Sequence, residues 1–193
     1  MSTRVTIRTS NSTRPLLDVL LPMFEQDTGI GTRLIVDSTK DSLERIENGE
    51  RADVAVLHDA SIDTLAASGI LDAASAQPFA NALIGLAGLQ GKPKPAIHDV
   101  AHFRAALLAA QSIAHTQFGP SGRYFPELIA ALGITEAMAC KVVTRPGGYI
   151  GRVVMAGEAD MAFQQICELL AVPGLEVIGP IPAQLQRGII SKI

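Results

Sequence analysis

The residues most able to do chemistry sit in three hydroxyl-rich turns. Gly119-Pro120-Ser121-Gly122-Arg123-Tyr124 follows the apolar run Ser112-Ile113-Ala114-His115 and precedes a helical pattern from Phe125 to Leu132. Thr9-Ser10-Asn11-Ser12-Thr13 follows Val5-Thr6-Ile7, and Asp37-Ser38-Thr39-Lys40 follows Leu34-Ile35-Val36. Each reads as strand, tight loop, helix. The unpaired amides at a helix start, together with the positive end of the helix dipole, attract an anion. Serine and threonine hydroxyls add donors, and Gly122 lets a ligand approach the backbone. Three such turns in one chain point to a pocket for a small oxyanion or carboxylate.

Composition narrows the possibilities. At 193 residues the chain is one large domain or two small lobes. It is 48% hydrophobic and 18% charged, enough to bury a core and too apolar for disorder. The net charge is -3, with no basic stripe and no aromatic-basic interleaving, which argues against nucleic acid as a partner. An anion would therefore have to be held by local donors rather than drawn in by bulk charge. Cys140 and Cys167 fall in no metal-spacing motif and read as small hydrophobes, although a disulfide stays open. No phosphate-loop, dinucleotide, zinc or nucleophile-elbow motif occurs, so neither cofactor nor metal is expected. No apolar segment is long enough to cross a bilayer. Met1-Ser2-Thr3-Arg4 runs straight into the first strand, so the expectation for the chain as written is cytoplasmic. A chain whose leader had already been removed would look the same and would be periplasmic.

The elements that must position the turns follow in order. Arg4–Arg8 reads as a strand, and Pro15–Gln26 as a helix that Pro22 bends or shortens. Arg33–Val36 is a second strand, followed by a helix capped by Asp37 or Ser38 and closed by Asn48-Gly49. Ala52–Leu57 is a short apolar run typical of a buried parallel strand, and a helix over Ile62–Ala67 ends at Gly69. This alternation implies a parallel sheet with right-handed crossovers. Asn81–Leu89 reads as a strand leaving the first lobe, with Gly91-Lys92-Pro93-Lys94-Pro95 as a surface linker. Asp99 caps a helix through Ala110. Further strands are expected within Ala137–Arg145, at Ala159–Phe163, at Leu175–Ile178 and at Ile189–Ile193, with a helix over Ile150–Ala156 after the Pro146-Gly147-Gly148-Tyr149 turn.

In its motifs the chain resembles the type II periplasmic solute-binding proteins of the molybdate-binding branch. The matching stretches are Ser10-Asn11-Ser12, Ser38-Thr39, Gly49-Glu50-Arg51-Ala52-Asp53-Val54, Pro120-Ser121-Gly122-Arg123-Tyr124 with Leu132-Gly133-Ile134, and Gly157-Glu158-Ala159-Asp160. Gln164–Leu170, Val172-Pro173-Gly174 and Gly179–Gln186 are similar to a sub-branch that is itself similar to trans-aconitate isomerase. The resemblance implies an α/β, two-lobed type II periplasmic-binding-protein-like fold. Its sheets would be mainly parallel and flanked by helices, with a ligand cleft between the lobes. Lobe 1 would be residues 1–82 plus a returning 187–193, and lobe 2 residues 83–186. The family continues past the last match with terminal helices. With the chain ending at Ile193, the expectation is a first lobe short of material, which a homodimer would cover unless those helices are dispensable.

On this reading Ser10, Asn11, Ser12, Ser38 and Thr39 line one wall of the ligand site, and Ser121, Gly122 and Arg123 another. Gly148, Tyr149 and Gln164 or Gln165 complete it, since only one of two successive glutamines on a strand faces a given side. The plain alternatives are N-capping for the hydroxyls, a solvated side chain for Arg123 and an ordinary turn at Gly147-Gly148. Arg14 and Arg145 are further cations near these loops, and Arg123 could fork onto a carboxylate. His58, His98 and His102 carry no constellation. Two functions fit. One is a receptor for a small anion, either an organic polycarboxylate or a molybdate-like oxyanion, with an ABC transporter permease as partner if the protein is exported. The other is a cofactor-independent isomerase of an unsaturated tricarboxylate, with His115 or Glu168 as candidate base. A cytoplasmic ligand-sensing module ranks behind both.

Overall fold

The computed structural model describes residues 4–193. Their contacts form two units: unit 1 runs to Asn81 and takes back Ile190–Ile193, and unit 2 is Ala82–Ile189. Unit 1 contains β1 (Arg4–Ser10), α1 (Arg14–Thr28), β2 (Gly31–Asp37), α2 (Thr39–Glu47), β3 (Val54–His58), α3 (Asp59–Ala67) and β4 (Pro78–Ala82), the last at its boundary. Unit 2 contains β5 (Ile84–Leu89), α4 (Val100–Ala109), β6 (Ile113–Thr116), α5 (Pro120–Ala131), α6 (Thr135–Met138), β7 (Val142–Arg145), α7 (Gly151–Met155), β8 (Met161–Gln165), α8 (Ile166–Leu170) and β9 (Leu175–Pro180). The chain then returns as β10 (Ile189–Lys192).

Each unit is built on a five-stranded sheet, in the order β2-β1-β3-β10-β4 for unit 1 and β7-β6-β8-β5-β9 for unit 2. β1 runs parallel to β2 and β3, and β6 parallel to β7 and β8. The antiparallel members are β10 against β3, and β5 against β8 and β9. The sheets are mixed α/β layers whose parallel parts come from strand-helix-strand crossovers.

In unit 2 the period of two sorts residues by size. Ile84, Leu86, Ile113, Met161 and Phe163 face a large cluster with Phe103, Phe125, Leu128 and Ile129. The intervening Ala87, Ala114 and Ala162 face a smaller cluster with Val153, Val154 and Leu169. Bulky side chains thus meet the long α5, and alanines let the short α7 and α8 pack on the other face. Unit 1 has smaller clusters, with Ile7, Leu17 and Val56 on one side and Ile46, Leu57, Ile62 and Leu65 on the other.

Several elements depart from the sequence reading. The run Asn81–Leu89 is two strands in different sheets, separated at Leu83. The Gln186 side chain brackets the start of β5, accepting from the Ile84 amide (3.1 Å) and donating to the Ile84 carbonyl (2.6 Å). α1 runs through Pro22 to Thr28, so the proline does not shorten it. Its outer face is exposed, so water can satisfy the carbonyl that loses its partner there. β8 lies two residues later than expected and takes Gln164 and Gln165 into the strand. Cys140 and Cys167 are free thiols, and Cys140 is exposed rather than buried. Among the described residues no helix is long and apolar enough to cross a membrane.

Candidate functional site

In unit 1 the parallel register places two of the hydroxyl turns side by side. Ser10 pairs with Asp37 across β1 and β2, and Thr9 with Val56 across β1 and β3. The segments 11–13 and 38–39 therefore leave the same edge of the sheet. Ser10, Ser12 and Thr13 are buried, and Asn11 is half-buried. The Ser10 and Ser12 hydroxyls bond each other at 2.9 Å. Thr9 and Thr13 do the same at 2.5 Å, and the Thr9 hydroxyl also donates to the Val56 carbonyl. The N-cap of α1 is Thr13, whose side chain makes no capping hydrogen bond, and the hydrogen bond that the Ser10 and Ser12 hydroxyls make is the one between them. The Ser10 and Ser12 hydroxyls are thus not engaged in capping. Ser38 behaves differently: its hydroxyl accepts from the Asp41 amide (3.1 Å) and caps α2, while Thr39 is half-buried in the first turn.

Behind this edge lies a residue that the sequence reading passed over as part of an alternating strand. Arg8 is 1% exposed and donates to Asp37 (2.5 Å) and Glu50 (2.6 Å). It ties the end of β2 to the segment before β3. Desolvation pushes the Glu50 carboxyl up, but hydrogen bonds from Arg45 and Arg8 outweigh it and leave the group below its ordinary range. The signal available in sequence was a charge in mid-strand with Asp37 and Glu50 downstream. Which acids it would meet depends on tertiary pairing.

In unit 2 Thr116 pairs with Arg145 across β6 and β7, so the loops entering α5 and α7 are neighbours. Pro120 opens α5, and Ser121 and Gly122 are buried in its first turn. A Cβ on Gly122 would fall inside the van der Waals envelope of the Thr116 carbonyl oxygen and hydroxyl. Only glycine allows the helix start to lie this close to the strand end. The Thr116 hydroxyl is itself buried without a hydrogen-bond partner. Arg123 is exposed on the same turn. Tyr124 packs rather than lining a site: its hydroxyl donates to the Leu185 carbonyl (2.7 Å) under the Arg187 guanidinium.

Gln164 holds the second loop. Its amide nitrogen donates to the Gly148 carbonyl and its oxygen accepts from the Ile150 amide, both at 2.8 Å. This fixes Gly148, at φ +86°, and Tyr149 between two anchored neighbours. Of the other cations near the loops, Arg145 is paired with Glu158 and Arg14 with Asp18.

Two buried titratable groups lie at the ends of these strands. The His115 ring Nδ1 donates to the Thr116 carbonyl (2.8 Å), and the ring packs on Phe125. Burial lowers its pKa, opposed by backbone hydrogen bonds with Thr116 and Gly122, so the imidazole is neutral at neutral pH. Glu168 follows β8 on α8. Burial raises its carboxyl to about 8 against hydrogen bonds from Gln165 and Gln164. Gln165 donates to it at 3.2 Å, while the Gln165 Oε1 is buried without a partner. The neighbouring Cys167 thiol is pushed up to about 11 by burial and by Glu168, which makes it unreactive.

Each unit thus presents hydroxyls at the carboxyl ends of its parallel strands, and α5 adds the start of a 12-residue helix. Residues 5–192 match the family of bacterial extracellular solute-binding proteins. The chain is 30% identical over 191 residues to an aconitate isomerase from a Pseudomonas species, covering 96% of this chain and 72% of that one. It superimposes on the periplasmic molybdate-binding protein of Azotobacter vinelandii with a TM-score of 0.78 at 18% identity, over 97% of this chain and 83% of the other. The tungstate ABC transporter structure from Geobacter sulfurreducens gives 0.69 at 19%, over 97% and 84%. At those identities the structural likeness is one of fold. Together with the match along almost its whole length, this makes the chain a member of the bacterial extracellular solute-binding protein family.

Proposed function

We propose that the protein binds a small anion, an organic polycarboxylate or a molybdate-like oxyanion, through the hydroxyls and amides at its strand ends. The observation that carries this reading is the buried Ser10–Ser12 hydroxyl pair, which caps no helix. A dehydrated anion is well served by neutral donors already fixed in place, since no mobile side chain has to be ordered on binding. Membership of the solute-binding family supports the same reading. As a receptor of this kind the protein would work outside the cytoplasm and deliver its anion to an ABC transporter permease. The apolar stripe Leu16, Val19, Leu20, Met23 and Phe24 on α1 would be the surface for a homodimer. Calorimetry with molybdate, tungstate, citrate and cis- and trans-aconitate tests the central claim. One of these is expected to bind, and either S10A/S12A or S121A should weaken it by about tenfold or more. Failure of all to bind, or binding indifferent to these variants, overturns it.

A second reading is favoured by Glu168 and by the aconitate isomerase relative. A buried carboxyl titrating near neutrality suits proton transfer at a carbon beside a carboxylate. Its conjugate base would take a proton from the substrate methylene, and the acid so formed would return one after the double bond has shifted. Proton NMR of cis- and trans-aconitate mixed with the protein decides between receptor and isomerase. Interconversion that E168Q abolishes while binding persists supports the enzyme, and none at high protein concentration rejects it for this substrate pair.

A further inference from the structure

Apart from the strand-end site, unit 2 brings together His98, Asp99 and His102, which the sequence reading left without a constellation. Asp99 is the N-cap of α4, and its Oδ1 accepts from the His102 amide (2.8 Å). The His102 Nδ1 lies 2.9 Å from both Asp99 oxygens, and Oδ2 is also 3.4 Å from His98 Nε2. The two rings lie against each other with centroids 4.1 Å apart. One donor atom from each residue can be chosen so that all three lie within 4.8 Å of one another.

We propose that His98, Asp99 and His102 bind one divalent transition-metal ion at the start of α4. The spacing carries the argument. Two donors each about 2.1 Å from a common ion stand about 3.0 Å apart at a right angle and about 3.4 Å apart at the tetrahedral angle. The two distances to Asp99 Oδ2 fall on these values, and turning the exposed imidazoles would bring all three donors around one ion. Two imidazoles and one carboxylate select zinc, nickel or copper over calcium and magnesium, which prefer oxygen ligands. The capping bond to the backbone supplies the outer support that orients a ligating carboxylate. All three side chains are about half exposed or more, which opens the position to an incoming ion and leaves the remaining coordination places to water. A bound ion would clip the segment before α4 to its first turn.

The test is calorimetry with zinc and with nickel on chelator-treated protein carrying no histidine tag. One ion per chain is expected, with H98A and H102A each weakening it at least tenfold and H98A/H102A removing it. A cobalt-loaded sample should show a visible absorption band that disappears in the same double variant. Because both histidines are exposed, the double variant should keep the wild-type circular dichroism spectrum. No ion taken up, or uptake unchanged in H98A/H102A, overturns the proposal.

Discussion

The strand-end edges of the two units are held together by different forces. In unit 1 a buried guanidinium joins Asp37 and Glu50, and hydroxyls pair with hydroxyls. In unit 2 the joints are close backbone packing at Gly122 and an amide clamp at Gln164. The first edge depends on charge, with Glu50 open to water; the second is dry and steric. The same strand-turn-helix device can therefore be stabilised by electrostatics or by fit, and the two should fail under different insults.

The sharpest way to break the comparison is G122A. The new methyl has no room beside the Thr116 carbonyl, so the start of α5 must move away from β6. A loss of about 4 kcal/mol or more is expected, because backbone rather than a flexible side chain must yield. Urea unfolding should show it with little dependence on salt. R8A attacks the other edge. It removes the buried partner of two acids, and the solvent exposure of Glu50 keeps the expected loss to about 3 kcal/mol. If both variants lost stability equally and with the same salt response, the contrast between the two edges would not stand.

The same contrast explains what could be read from the chain alone. Alternation of large and small residues in β5 and β8, and turns rich in glycine and serine, mark the strand-turn-helix rhythm because they are local signals. Arg8 gave no such signal: its partners are 29 and 42 residues away, and only the parallel register brings them near. Nor could sequence say which hydroxyls cap helices, since Ser12 and Ser38 look alike until backbone geometry separates them. The His98-Asp99-His102 spacing was visible, but His98 precedes the helix, so the rule that residues four apart share a helix face does not place it.

A smaller effect sharpens the dry side. Glu168 has an ordinary carboxyl pKa of 4.5 when unfolded and about 8 when folded. Between these values the folded state holds a proton that the unfolded state has released, so stability falls as pH rises through that window and levels off above it. E168Q removes the titration. It should flatten the profile and stabilise the protein by about 2 kcal/mol at pH 8 relative to wild type, with the two converging near pH 4. Urea midpoints measured across pH 4 to 9 check both the slope and its sign. A wild-type stability that did not fall relative to E168Q across this range would mean that Glu168 is ionised in the folded protein.

The smallest stability effect separates two kinds of serine within unit 1. S38A loses the hydrogen bond to the Asp41 amide and should cost about 1 kcal/mol, the ordinary worth of an N-cap. S10A/S12A removes both partners of one hydroxyl pair and strands neither, so thermal unfolding should hardly change. Anion affinity should rank the other way, with S10A/S12A the more damaging. Calorimetry and melting curves on the same two variants therefore distinguish a hydroxyl kept for the helix from one kept for a guest. If S10A/S12A destabilised the fold as much as S38A and left affinity intact, the serine pair would be structural, and the donors for an anion would have to be sought elsewhere.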